Sequence, residues 1–197
     1  MILCMILELN VLKNNIYCML HNWKSFNEAR EPFNTKGDYK NVYTSKTNPD
    51  IVLKKFNSRH DYMIKNEIKF CNTAPDLFAK IYKVDFKKCV ILQQKLDTLS
   101  AYEDLKKMGD YFFNLNLIDS KSDYEILNFI KTIVVQNTSM EEVKNFMEDK
   151  ILFEIVNKWV FIIKKVIKIG VELDIPFDIN PNNFGYDKEG NLKMFDI

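Results

Sequence analysis

Near its C-terminal end the chain reads Asp178-Ile179-Asn180-Pro181-Asn182-Asn183-Phe184-Gly185, and Asp196 follows thirteen residues after Asn183. Carboxylates and carboxamides are hard oxygen donors suited to a divalent cation, and a carboxylate is also a general base. The same residue types form turns and caps, since Asn, Asp and Pro all favour loops. An aspartate five residues before an asparagine is a common pairing, so the run alone leaves both readings open. Two more charges stand out upstream: Lys54 in the apolar run Val52-Leu53-Lys54, and Glu67 thirteen residues later. Taken singly, Lys54 reads as a solvated edge lysine and Glu67 as a surface helix charge.

Other chemistries find less support. Cys4, Cys18, Cys71 and Cys89 are scattered with no C-x-x-C pair, and the two histidines, His21 and His60, stand apart from any second soft ligand. A structural zinc site is therefore not expected, and reduced thiols in an intracellular protein are the better reading. The charge balance is 28 basic against 27 acidic residues, a net +1, which gives no long-range pull toward nucleic acid or acidic membranes. With 47% hydrophobic and 28% charged residues the composition is that of a globular protein. MILCMILELNVL at the start lacks a basic leader, is interrupted by Glu8 and has no small-residue cleavage site, so a docked helix or strand is expected there. The apolar run 159–163 is too short to span a bilayer. Abundant Asn, Lys and Ile fit an A/T-rich genome, such as that of a virus or an intracellular microbe.

The elements that must position these residues can be read from periodicity. Residues 1–33 carry a mixed helical pattern, with Ile16, Leu20, Trp23 and Phe26 on one side, broken at Pro32. The runs 39–47 and 50–56 are strand-like and meet at the turn signal Asn48-Pro49-Asp50, which predicts a hairpin. Residues 58–71 predict a helix that Ser58 can cap, ended by Pro75. Two further β-like runs, 77–86 and 88–96, join around Lys87-Lys88. Helices are predicted over 99–116, 122–137, 140–149 and 151–173. In the last, Leu152, Ile155, Val156, Trp159, Ile162, Ile163, Val166 and Val171 cover more than one face, the mark of a central helix. A polar loop and a small hairpin, turning at 188–191, complete the chain.

In this order the residues resemble the protein-kinase-like superfamily, over about residues 35–197. Asp178 and Asn183 match the catalytic loop, and a short hairpin then delivers Asp196 as the second metal-binding aspartate. Lys54 resembles the strand lysine that grips the α- and β-phosphates, and Glu67 falls where the family's helix glutamate orients it. Gly37-Asp38-Tyr39-Lys40-Asn41-Val42 is similar to a degraded phosphate-covering loop. There Gly37 matches the middle glycine, Tyr39 the aromatic tip and Val42 the residue on the adenine. Residues 90–96 fall where the last strand of the small lobe enters the hinge. The resemblance implies ATP and Mg2+ as cofactors, Asp178 as the base, and Asn183 and Asp196 as metal ligands.

The fold class implied is α+β, a two-lobed kinase-like fold with a small β-rich N-lobe and a truncated, mainly helical C-lobe. The expected division is a helical extension at 1–34, the N-lobe at 35–98 and the C-lobe at 99–197. Departures from the family pattern bear on activity. Pro176-Phe177 replace the usual His-Arg, Asn180 replaces a lysine, and Thr35 and Lys40 stand at two glycine positions. The sequence stops at Phe195-Asp196-Ile197, where the family continues into an activation segment and further helices. These features favour a nucleotide-binding pseudokinase or scaffold, with a protein partner or a second copy covering the large lobe. The alternative is an active minimal phosphotransferase. A third reading is an α+β interaction protein unrelated to kinases. No specific nucleic acid and no membrane span are expected. The expected location is intracellular, cytoplasmic or nuclear, in a host cell if the protein is viral.

Overall fold

The computed structural model describes residues 26–28, 40–45, 48–57, 61–145, 147–175 and 178–196. The chain is α+β, and its packing divides into two units. One unit takes the chain through Lys65 together with Lys80–Lys95; the other takes Asn66–Ala79 and everything from Leu96 on.

The first unit is a five-stranded antiparallel sheet in the order β1-β2-β3-β5-β4. Its strands are β1 (Phe26–Glu28), β2 (Lys40–Ser45), β3 (Ile51–Phe56), β4 (Ile81–Asp85) and β5 (Val90–Gln94). The β2–β3 hairpin turns where the Asn-Pro-Asp signal placed it. Asn48 Oδ1 accepts the Asp50 N–H at 3.0 Å, and the Asn48 N–H donates to Ser45 Oγ at 3.0 Å. Alternation then sorts the side chains. Ile51, Leu53, Val90 and Leu92 cluster with Tyr43 and Tyr82 on one face. Lys54, paired across the strands with Val42 and Ile91, belongs to the opposite face.

Two expectations need correcting. Phe26, assigned by helical periodicity to a helix, lies in β1, which pairs with β2 and covers what would be an open sheet edge. The run 77–86 is not one strand. The Met194 N–H donates to the Leu77 carbonyl at 2.9 Å, and the Ala79 N–H donates to Met194 O at 2.8 Å. The terminal hairpin thus claims the backbone of 77–79, and β4 begins only at Ile81. The rest of the predicted N-terminal helix and the Ser58 cap lie outside the described residues.

Helix α1 (Asp61–Thr73) runs from the first unit into the second. The second unit adds α2 (Thr98–Asn114), α3 (Asp123–Val135), α4 (Met140–Asn145), α5 (Lys150–Leu173) and the hairpin β6 (Phe184–Tyr186)–β7 (Leu192–Met194). Side-chain caps set the helix starts: Asp97 accepts from Ser100 N–H, Ser122 from Glu125 N–H, and Asp149 from both Ile151 and Leu152 N–H. Asp174, in the left-handed region at φ 52°, ends α5. As its composition predicts, α5 is central. Val156, Trp159, Ile162, Ile163 and Val166 are completely buried among Met108 and Phe112 of α2 and Ile126 and Ile130 of α3. Val171 is the exception and lies exposed. Among the described residues no helix is long and apolar enough to cross a membrane.

The hairpin is sewn to the start of α2. Asp97 and Tyr186 exchange backbone hydrogen bonds of 2.8 and 3.0 Å. This brings Gly185 so close that a Cβ there would lie 2.6 Å from Leu96 Cβ and 3.2 Å from the Asp97 backbone. Gly185→Ala is therefore expected to destabilise the protein by about 1–3 kcal/mol through overpacking. Urea denaturation measures this, and an unchanged midpoint would refute the close-approach argument.

Candidate functional site

The loop after α5 is built by its own polar residues. Asn180 Oδ1 accepts the Asn182 N–H at 3.0 Å, and the Asn183 N–H donates to Asn180 O at 3.0 Å. These bonds wind Pro181–Asn183 into one 3-10 turn, with Pro181 at its start, where a missing N–H costs nothing. Ile179 and Pro181 are buried, so the loop is anchored by apolar contacts while Asp178 stays exposed between them and α5.

Asn183 is the hub. Its side-chain Nδ2 donates to the Asp178 carbonyl at 3.1 Å, closing the loop on itself. Its own carbonyl accepts the Phe195 N–H at 2.9 Å, which brings the backbone next to Asp196 against the loop. Phe184, the next residue, is fixed by packing against Trp159 with ring centroids 5.2 Å apart. These hydrogen bonds tie Asp178, Asn183 and the residue before Asp196 to one another. With Nδ2 engaged as a donor, the Asn183 amide oxygen remains as an acceptor.

The remaining predicted residues stand each within its own unit. Lys54, in the middle strand of the sheet, is 1% exposed, whereas its neighbour Lys55 is exposed. The solvated-lysine reading thus applies to Lys55 and not to Lys54. Glu67, on the part of α1 that belongs to the helical unit, is 5% exposed and so is no surface charge. Neither side chain stands without a partner. Val42 is half-buried across from Lys54. Gly37 and Tyr39 lie outside the described residues.

Magnesium prefers oxygen ligands and is usually held by one or two protein groups plus phosphates. Among the described residues there is no cluster of three or more His, Cys, Asp or Glu side chains suited to a metal. Asp196 and Asn183 offer oxygen atoms of the kind magnesium takes, a carboxylate and an amide carbonyl. They do not fit an all-protein metal cage.

Sequence reasoning missed the groups that hold the hairpin. Asp187, buried at the β6–β7 turn, accepts the N–H groups of Glu189 and Asn191 and the Asn191 side-chain amide, and pairs with Lys193 at 3.3 Å. Burial would push its carboxyl up, but the Asn191 bonds and Lys193 outweigh that and hold it below the usual 3.8. The spacing Asp187…Asn191 around Gly190 was the available signal for such a turn. Tyr186 donates its hydroxyl to the buried Asp104 carboxylate. Burial first, and then Asp104, push the phenol far above its ordinary value.

Asp187→Asn is expected to cost about 2 kcal/mol at pH 7, because charge-assisted hydrogen bonds in a buried turn are lost. A carboxyl depressed on folding stabilises fully above its unfolded value and loses that contribution as pH falls through the folded one. The stability gap between wild type and Asp187→Asn should therefore narrow below about pH 3.8. Urea titrations at several pH values check this, and a gap that stays constant into acid would contradict it.

No protein-family description matches the chain, and no curated protein does. Among solved structures it is similar to the choline kinase LicA from Streptococcus pneumoniae, at 15% identity and a TM-score of 0.37, over 95% of this chain and 67% of that one.

Proposed function

We propose that this chain is a protein-kinase-like nucleotide-binding protein that takes ATP with Mg2+ and acts in regulation rather than in phosphoryl transfer. The observation that carries the binding half is the Asn183 hub. One amide closes the loop onto Asp178, while the adjoining carbonyl holds the strand end that leads to Asp196. That arrangement supports Asn183 and Asp196 as the two protein oxygens for magnesium, with the phosphates completing the shell. Bound magnesium would neutralise phosphate charge. The buried Lys54 supports a phosphate-gripping role, with Glu67 as the carboxylate that orients it. Gly37, Tyr39 and Val42 would cover phosphates and adenine.

The regulatory half rests on Asn180. The family carries a lysine there to steady the transferring group; here the side chain is neutral, and its oxygen is committed to the Asn182 N–H. A cation missing where negative charge develops removes a large part of transition-state stabilisation while leaving ground-state binding intact. One observation favours retained phosphotransfer. Asp178 is exposed, so its carboxylate can meet a substrate hydroxyl as general base.

Thermal melting with Mg-ATP tests the proposal. At about a hundredfold excess over Kd, binding adds about 2.7 kcal/mol and should raise Tm by several degrees. Lys54→Met, which keeps the apolar stem of the side chain, should abolish that rise while the apo protein still folds by circular dichroism. Asp178→Ala should leave the rise in place. No Tm rise in the wild type would end the nucleotide reading. Transfer from labelled ATP by wild type, lost in Asp178→Ala, would establish the enzyme instead.

A further inference from the structure

The helical unit carries a groove of about 740 Å³ outside the loop site. It lies between the turn at 73–77, one side of α5 and the end of the β6–β7 hairpin. Its floor is apolar, formed by Leu77, Ile169 and Leu192. Its walls are mostly basic: Lys158, Lys165, Lys168 and Lys193 against Asp76 and Glu172.

Two of those lysines are already neutralised. Lys193 pairs with Asp187 at 3.3 Å, and Lys168 lies 3.7 Å from Glu172. Lys158 and Lys165 are different. They rest over the rings of Tyr186 and Phe161, each 5.6 Å from the ring centroid, and among the described residues neither has a carboxylate partner. Phe161 is itself 54% exposed beside this charge. An apolar floor, an exposed aromatic ring and two uncompensated cations are thus gathered along one helix face.

We propose that this groove docks an acidic segment of a partner protein, which places an apolar side chain on the floor and carboxylates against Lys158 and Lys165. Charge complementarity selects the sign of the partner. Length sets its size: α5 from Lys158 to Glu172 runs about 21 Å at 1.5 Å per residue, the span of roughly six extended residues. Nucleic acid is the weaker fit. A base needs an open aromatic face, and Lys165 already sits over Phe161. This inference is independent of the nucleotide reading, because the groove shares no residue with the loop at 178–183.

The test is panning of a random-peptide display library on the full chain, followed by fluorescence anisotropy on the selected peptides. The expected result is enrichment of segments that combine Asp or Glu with Leu, Ile or Phe. Their affinity should fall about tenfold or more in the Lys158→Glu, Lys165→Glu double variant, and it should weaken as salt rises because exposed charges are screened. Melting of the double variant at the wild-type temperature shows that the fold is intact, and Lys158→Gln, Lys165→Gln serves if the reversal unfolds it. Peptides without acidic bias, no enrichment at all, or equal binding to the altered groove would each overturn the proposal. So would displacement of the peptides by single-stranded RNA, which would make the groove a nucleic-acid site.

Discussion

Two strands of three residues cannot hold a shape by themselves, because an isolated hairpin of that size is at best marginal in water. The β6–β7 hairpin persists through backbone hydrogen bonds to two distant parts of the chain and through one that extends its own ladder. Asp97 takes its first strand, Leu77 and Ala79 take Met194, and Asn183 takes Phe195. Every one of these joins main chain to main chain, so the position of the hairpin depends little on which side chains it carries. The candidate loop inherits that rigidity. Asp178 and Asn183 sit on a turn whose far end is fixed by the same strand that presents Asp196. The close approach at Gly185 is the packing consequence, since a tighter seam leaves no room for a side chain.

Two buried charges illustrate a different constraint. A lysine at 1% exposure and a glutamate at 5% are costly wherever they occur, because an ion taken from water loses its hydration and must find compensation in the protein. Replacing such groups by apolar residues often leaves a fold equally stable or more so. Burial of Lys54 in a central strand, beside an exposed Lys55 that could carry solvation alone, is thus poorly explained by stability. Perturbed or buried charges concentrate where a protein handles another charge. That asymmetry between adjacent lysines weighs more than the match of either to a motif.

Much of this architecture was legible in the residues. The Asn48-Pro49-Asp50 turn, the exposed Lys87-Lys88 connection and the centrality of α5 follow from local rules, and the α+β order of elements followed from them. What escaped was non-local. Nothing in the run 77–86 reveals that Leu77 and Ala79 give their backbone groups to Met194, more than a hundred residues away. Phe26 fits a helical stripe equally well, and only the open edge of β2 makes it a strand. Single charges were misjudged for a related reason: sequence places Lys54 and Lys55 side by side, whereas alternation in a strand sends them to opposite faces. Asp187 was overlooked because its role appears only when its turn closes around it.

Under the proposed function, Asn180 would part binding from transfer within one loop. Ground-state recognition of a nucleotide draws on groups already in place, such as amide oxygens, carboxylates and a lysine fixed by its strand. Transfer asks in addition for positive charge aimed at oxygens that become more negative only in the transition state. A neutral amide whose oxygen is already engaged with its own backbone cannot supply that charge, though it stabilises the turn that holds Asn183. On the proposed reading, Asn180 gives a structural contribution in place of a catalytic one. Under the proposed function, the loop would be kept in order for a nucleotide while transfer is slowed.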